Sequence, residues 1–339
     1  PDTLRGRDNA LPDPRYSAPQ AWRTRLPASL YPSAWVGERA CEWLHGHAGQ
    51  KAEKPFFLQV SFPDPHHPFT PPGEFWDLYR PEDVALPASF HAPGESQFVH
   101  DVHRYTREGG TREGYGAFGV SARECQEILA LTFGMISLVD AQVGRIMSTL
   151  GELGLERDTV VIFTSDHGDM MGDHGMVLKG AMHFGGLTRV PFVWVDPDSG
   201  VQAQTMPHPA SSLDLPQTVL ARCGLAPFNG MQGLNLLPWL RDPGQPAPAR
   251  AGVMIESEPV VLPHGRLQPY RLRSLVNADW RVTVSNLSEL CEMYDLVNDP
   301  LEQVNLWARE PALRQDRCSQ LLTEEIQQAD RSPLPTAIA

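Results

Sequence analysis

Two short stretches of the chain crowd histidine and aspartate together. One reads Asp64-Pro65-His66-His67-Pro68, and the other reads Asp166-His167-Gly168-Asp169, with Asp173 and His174 close behind. A carboxylate oxygen beside an imidazole nitrogen suits a divalent cation, which makes Asp166 and His167 the candidate metal ligands. Adjacent residues of an extended strand point to opposite faces, so these two share a ligand only where the backbone bends, as Gly168 permits. A plainer account stays open, in which Asp166 caps a turn and His167 is a surface imidazole. Asp169, Asp173 and His174 read as residues that fix the loop. His66 and His67 sit between prolines that stiffen their loop, which is how an acid or an anion contact is kept in register; the same pair also reads as merely exposed or packed. Lys179 is a cation able to bind a metal-bound oxyanion and hand it a proton, and His183 is a further candidate of that kind.

The elements that must position these residues follow from periodicity. Apolar residues at near-helical spacing, Trp35, Val36, Ala40, Trp43 and Leu44, predict a helix over 34–45. Residues 56–62 form a nearly continuous apolar run ending at Pro63, the pattern of a strand covered on both faces. Residues 63–120 show no sustained period and read as a long excursion around one or two short helices. Ser121-Ala122-Arg123-Glu124 has the form of a capping box, and Ile128, Leu131, Met135, Leu138, Val143, Ile146 and Leu150 continue it as a long helix. The β-branched run at 159–164 predicts a second buried strand and 190–195 a third; 212–223 predicts a helix closed by Gly224. Short strands are expected over 251–256, 271–276 and 280–284, the last two joined as a hairpin at Asn277-Ala278-Asp279, before a final amphipathic helix through Leu313, Leu321, Leu322 and Ile326. In a sheet of this kind, ligands bind beyond the carboxyl ends of the strands. The two histidine loops are therefore expected to meet at one rim, with Asp166, His167, Lys179 and His66 facing a shared cavity.

Composition removes some classes. With 28 Lys plus Arg against 41 Asp plus Glu, the net charge of −13 disfavours a phosphate-backbone binder, so no nucleic-acid partner is expected. No membrane span is expected, because no uninterrupted apolar run approaches the roughly 18 residues a bilayer requires. The five cysteines include no C-x-x-C pair, which excludes the common zinc-ribbon and redox spacings, and most are expected to be buried thiols.

The larger pattern resembles the sulfatase family of the alkaline-phosphatase superfamily. It rests on Ser165-Asp166-His167-Gly168, Met171-Gly172-Asp173-His174-Gly175, Lys179-Gly180 and Gly185-Gly186-Leu187-Thr188-Arg189-Val190-Pro191. Residues 56–72, 139–146 and 293–306 agree, so the resemblance spans roughly 34–310. It implies an α/β fold: an alkaline-phosphatase-like α/β/α sandwich with a mainly parallel sheet, plus a small C-terminal α+β subdomain with antiparallel strands. The main domain is expected over 1–245 and the subdomain over 246–339. The resemblance implies hydrolysis of a small-molecule or glycan sulfate ester by a formylglycine nucleophile and a divalent metal. Asp166 and His167 match the family's late metal-ligand pair; His66 and Lys179 match the pair that contacts the sulfate and assists the leaving oxygen, with His67 and His183 on the substrate side. Calcium is the ion the family implies, although a histidine ligand leaves manganese or magnesium open.

The resemblance also has a gap. No cysteine or serine begins a Cys-x-Pro-x-Arg-type nucleophile sequence, and the family's early adjacent aspartates are absent. Both lie N-terminal in the family, and the chain opens on Pro1. The expectation is an N-terminally incomplete chain that is inactive and binds metal poorly by itself. Two alternatives accompany the sulfatase reading: a phosphonate or phosphate mono- or diester hydrolase of the same superfamily, and a non-catalytic sulfatase-like binding protein.

Overall fold

The computed structural model describes residues 6–49, 54–200, 203–206, 208–246, 250–260 and 269–329. In chain order its elements are α1 (Pro32–Gly49), α2 (Gln97–Arg107), β1 (Phe118–Gly119), α3 (Ala122–Glu152), β2 (Val161–Thr164), β3 (Met176–Val177), α4 (Gly185–Thr188), β4 (Phe192–Val195), α5 (Asp214–Arg222), α6 (Leu237–Arg241), β5 (Val253–Val260), β6 (Tyr270–Val276), β7 (Trp280–Ser285), β8 (Glu292–Asp295) and α7 (Pro311–Ala329). They form two interleaved compact units rather than parting near residue 245. The first comprises Pro1–His91, Thr106–Val161 and Met170–Leu178, and the second Ala92–Tyr105, Ile162–Asp169 and Lys179–Ala339.

The first unit is built on α3. The expected capping box is present: Ser121 Oγ accepts from Glu124 N at 3.3 Å, and Glu124 Oε2 accepts from Ser121 N at 2.8 Å. Ile128, Leu131 and Met135 bury their side chains with Phe69, Trp76, Phe118 and Val177. By length and composition α3 is also apolar enough to cross a membrane, with 56% of its most apolar window buried in the protein. The buried part of that window packs against this core, while Phe133, Ile136 and Met147 are exposed.

Helix α1 forms as predicted, but with a different inner face. Ser33, Ala34, Gly37, Ala40 and Leu44 are buried, whereas Trp35 and Trp43 are exposed. The reason is close approach: a Cβ on Gly37 would lie 2.8 Å from Gln142 Cβ of α3, so small residues rather than large ones face the partner helix. Residues 56–62 are a second correction. They alternate between half-buried and exposed, Phe57 is 78% exposed, and no strand among the described residues pairs with them. An apolar run reports side-chain preference, whereas a strand exists only with a ladder partner.

In the second unit β2 pairs with β4. Strand β2 is likewise not covered on both faces, since Phe163 and Thr164 are exposed. The C-terminal sheet is antiparallel in the order β5-β6-β7-β8. Its predicted hairpin is closed by Asn277, whose Oδ1 accepts from Asp279 N and Trp280 N at 2.9 and 2.8 Å. Helix α7 covers one face through Leu321 and Cys318, packed with Met254, Leu275 and Val282. Strand β8 falls where periodicity predicts no element. Only Cys125 and Cys291 are buried, fewer than expected; Cys41 and Cys318 are intermediate and Cys223 is exposed.

Candidate functional site

Strand β2 ends at Thr164, and the next three residues fold back on their own backbone. Ser165 Oγ lies 3.0 Å from the His167 carbonyl and 3.3 Å from Asp166 Oδ1, which also accepts from His167 N at 2.9 Å. These bonds turn adjacent side chains to the same side, leaving His167 Nε2 3.6 Å from Asp166 Oδ2. Both side chains are exposed, Asp166 at 84%. His167 Nδ1 stands 2.8 Å from the Gly168 carbonyl, so that nitrogen carries the proton and Nε2 presents its lone pair beside the carboxylate. This is the arrangement of a metal-binding imidazole whose second nitrogen is held by a carbonyl. Burial pushes the Asp166 carboxyl up, but hydrogen bonds from backbone N–H groups, His167's among them, and from the Ser165 hydroxyl help to hold it below its ordinary value.

Gly168 serves this turn by closeness rather than by an unusual φ. Its N–H donates to Leu187 O at 2.8 Å, and a Cβ there would stand 2.0 Å from Gly186 O. The segment that begins α4 is therefore pressed directly against the Asp166-His167 turn. Half-buried Lys179 belongs to the same unit. Burial lowers its ammonium pKa, and the nearby Asp169 and Asp166 carboxylates oppose that shift. Asp169 is thus more than a loop-fixing residue: it is an electrostatic neighbour of Lys179. Asp173 does fix a loop, accepting from Ser89 Oγ at 2.7 Å.

His66 and His67 belong to the first unit. Their loop hangs from buried Asp64, which accepts hydrogen bonds from Ser33 Oγ and Tyr31 OH. His66 is exposed, and its Nδ1 lies 2.6 Å from the His67 carbonyl, again leaving Nε2 available. His67 is buried, its ring centroid 4.0 Å from that of His66 and 5.8 Å from Tyr115. The expected histidine pair thus divides into an outward ring and a packed one.

His183 departs from its expected anion-binding role. It is 4% exposed, with Nδ1 2.7 Å from Ser274 Oγ and Nε2 2.9 Å from Ser257 Oγ. Burial, reinforced by Arg281 and Arg273, pulls its pKa down to about 3. At neutral pH it is an uncharged imidazole with both nitrogens engaged. Periodicity and motif reading also passed over what lies beside it, the buried ion cluster of Arg281, Glu292 and Glu302. The only sequence signal for that cluster was the 293–306 stretch.

Among the described residues no group of three or more His, Cys, Asp and Glu side chains could hold a metal. Asp166 and His167 fit a divalent cation as two of its donors, one oxygen and one nitrogen, exposed and aimed alike.

The family model described as Sulfatase matches residues 24–225. This chain belongs to the sulfatase family. The match contains His66, His67, Asp166, His167, Lys179 and His183; the Arg281 cluster lies outside it. The chain is 30% identical over 211 residues to an arylsulfatase of Clostridium perfringens, covering 61% of this chain and 41% of that protein. It is also 30% identical over 255 residues to a multifunctional alkaline phosphatase superfamily protein of Trinickia caryophylli, covering 73% of this chain and 48% of that one. A solved phosphonate monoester hydrolase of Agrobacterium radiobacter superposes with a TM-score of 0.73 at 26% identity, covering 95% of this chain and 66% of that chain. The chain spans about half the length of the curated relatives it matches. The sulfatase fold is accordingly the expected alkaline-phosphatase-like α/β type with an antiparallel C-terminal sheet.

Proposed function

We propose that this chain supplies the late metal ligands and the leaving-group side of a sulfuric ester hydrolase. The observation that carries the proposal is the exposed Asp166 Oδ2 and His167 Nε2 pair, 3.6 Å apart, with the imidazole tautomer fixed by the Gly168 carbonyl. Membership of the sulfatase family supports it. A divalent cation and a formylglycine, when present, supply Lewis acidity and the nucleophile respectively. Calcium is the ion the family implies, with manganese or magnesium compatible with a histidine donor.

The chain's own residues have distinct tasks. Asp166 and His167 hold the cation. Lys179, screened from bulk water, binds a sulfate oxygen and offsets its charge. As an imidazolium, His66 gives its Nε2 proton to the departing oxygen and keeps its Nδ1–H on the His67 carbonyl, ending as the neutral ring. Replacing His66 by Ala in the full-length protein should therefore slow an alkyl sulfate, whose leaving group needs protonation, at least about tenfold more than 4-nitrophenyl sulfate. Equal losses for both would refute the acid role. Because no cysteine or serine of the chain begins the nucleophile sequence, the 339 residues alone should show no turnover.

A phosphonate or phosphate ester hydrolase is the second reading, favoured by the Agrobacterium radiobacter neighbour. Comparing turnover of 4-nitrophenyl sulfate and a phenyl phosphonate monoester in the full-length protein separates them.

A further inference from the structure

The 293–306 stretch has no task in the chemistry above, yet it contributes Glu302 to a closed hydrogen-bonded circuit. Glu302 is 5% exposed, and its backbone sits at φ 54°, a left-handed conformation uncommon for a side-chain-bearing residue. Asp299 holds the turn that presents it, accepting from Gln303 N and Val304 N at 2.8 Å each. One Glu302 oxygen accepts from Gly185 N at 2.7 Å; the other accepts from Arg281 Nε. Arg281, 1% exposed, also reaches Glu292 Oε2 at 3.1 Å and Thr283 Oγ1 at 2.8 Å. Thr283 Oγ1 lies 2.6 Å from Ser274 Oγ, which lies 2.7 Å from His183 Nδ1. The path that leaves Gly185 thus returns to His183, two residues away. Between them the Phe184 ring stacks over the Arg281 guanidinium, whose central carbon lies 5.0 Å from the ring centre.

Three consecutive residues are therefore gripped by one buried cation and its partners, and they feed directly into the metal-ligand turn. Leu187 N donates to Phe184 O, Leu187 O accepts from Gly168 N, and the Gly168 carbonyl orients the His167 ring. Every residue in this path belongs to the second unit. We infer that Glu302 and Arg281 are positioning residues, which clamp 183–185 against Gly168 and thereby fix the Asp166-His167 pair.

The meaning of that pair for catalysis rests on the proposed function, whereas the clamp itself can be tested without activity. Glu302→Gln keeps shape but leaves a single acceptor oxygen for two donors, Gly185 N and Arg281 Nε. Native-state amide exchange by NMR on the full chain should show Gly185 and Gly168 both exchanging at least about tenfold faster, with the β6–β7 ladder unchanged. A merely structural role would accelerate the ladder together with the glycines. Thr283→Val, which cuts only the arm toward His183, is the milder second variant should Glu302→Gln fail to fold; it should accelerate Gly168 at least about threefold. Gly168 exchanging at the wild-type rate in the variant that folds would overturn the clamp. In parallel, Asp166→Asn tested for Mn²⁺ binding in the full-length protein judges the metal reading: unchanged binding sinks the proposed function and leaves the exchange result to decide the clamp.

Discussion

Two of the sets of opposed ionisable groups in the second unit, the Asp166-His167 turn and the Arg281 cluster, differ in what surrounds them. At the Asp166-His167 turn a carboxylate and an imidazole face solvent with donor atoms open on one side. In the Arg281 cluster a guanidinium is enclosed by two carboxylates, a threonine and two aromatic rings. An open pair contributes little to stability and is available to a ligand. A closed cluster binds nothing new, but removing one member strands the others in a dry interior. These two thus divide into an open pair and a holding cluster, and burial distinguishes them. Burial also pushes the Glu292 carboxyl up, despite the opposing pull of Arg281 and the Ser96 hydroxyl, and the second carboxylate, Glu302, adds to the rise.

The largest expected effect breaks the holding cluster. Arg281→Met should destabilise the protein by about 3–5 kcal/mol, because two buried carboxylates lose their cation; urea unfolding measures it, and a loss below about 1 kcal/mol would mean the cluster readily accommodates the change. Gly168→Ala comes next. Its methyl would meet a backbone carbonyl at 2.0 Å, so the turn or α4 must move, at a cost of about 1–3 kcal/mol.

His183 sharpens the comparison through pH. The unfolded imidazole takes up a proton below its ordinary value of 6.5, whereas the native one stays neutral to about 3. The stability that this difference supplies is intact above about pH 6.5 and is lost as pH falls toward 3. At pH 5 the loss should reach about 2 kcal/mol. Unfolding midpoints of His183→Gln should show a flatter slope than wild type between pH 6.5 and 5; equal slopes would remove His183 as the cause. At the open pair, by contrast, Asp166→Asn should change stability by less than about 0.5 kcal/mol. A thermal shift corresponding to several times that would place Asp166 in the holding cluster's class.

What the sequence reveals of this molecule follows the range of the interactions. The Ser121-Glu124 capping box and the Asn277 hairpin are local, and both appear as predicted. The Asp166-His167 turn was legible as a candidate pair because its bonds run among neighbours, although Gly168 works through contact with Gly186 rather than through bending alone. The inner face of α1 was hidden because it depends on Gln142 of a distant helix. His183 looked like an anion ligand beside Lys179. Its burial is set by Ser257 and Ser274 on strands far along the chain. The Arg281–Glu302 contact likewise joins a hairpin strand to a later turn, and alternation along a strand cannot show which partner awaits a buried arginine.

On the proposed function, Asp166 and His167 hold a divalent cation that His66 does not. Elemental analysis of the purified protein carrying Asp166→Asn, His167→Gln or His66→Ala checks this. Bound metal at fixed free ion should fall at least about tenfold in the first two and stay at wild-type occupancy in the third, since even losing a group that merely orients a metal ligand typically costs ~10–100-fold. Undiminished metal in the Asp166 and His167 variants would contradict it.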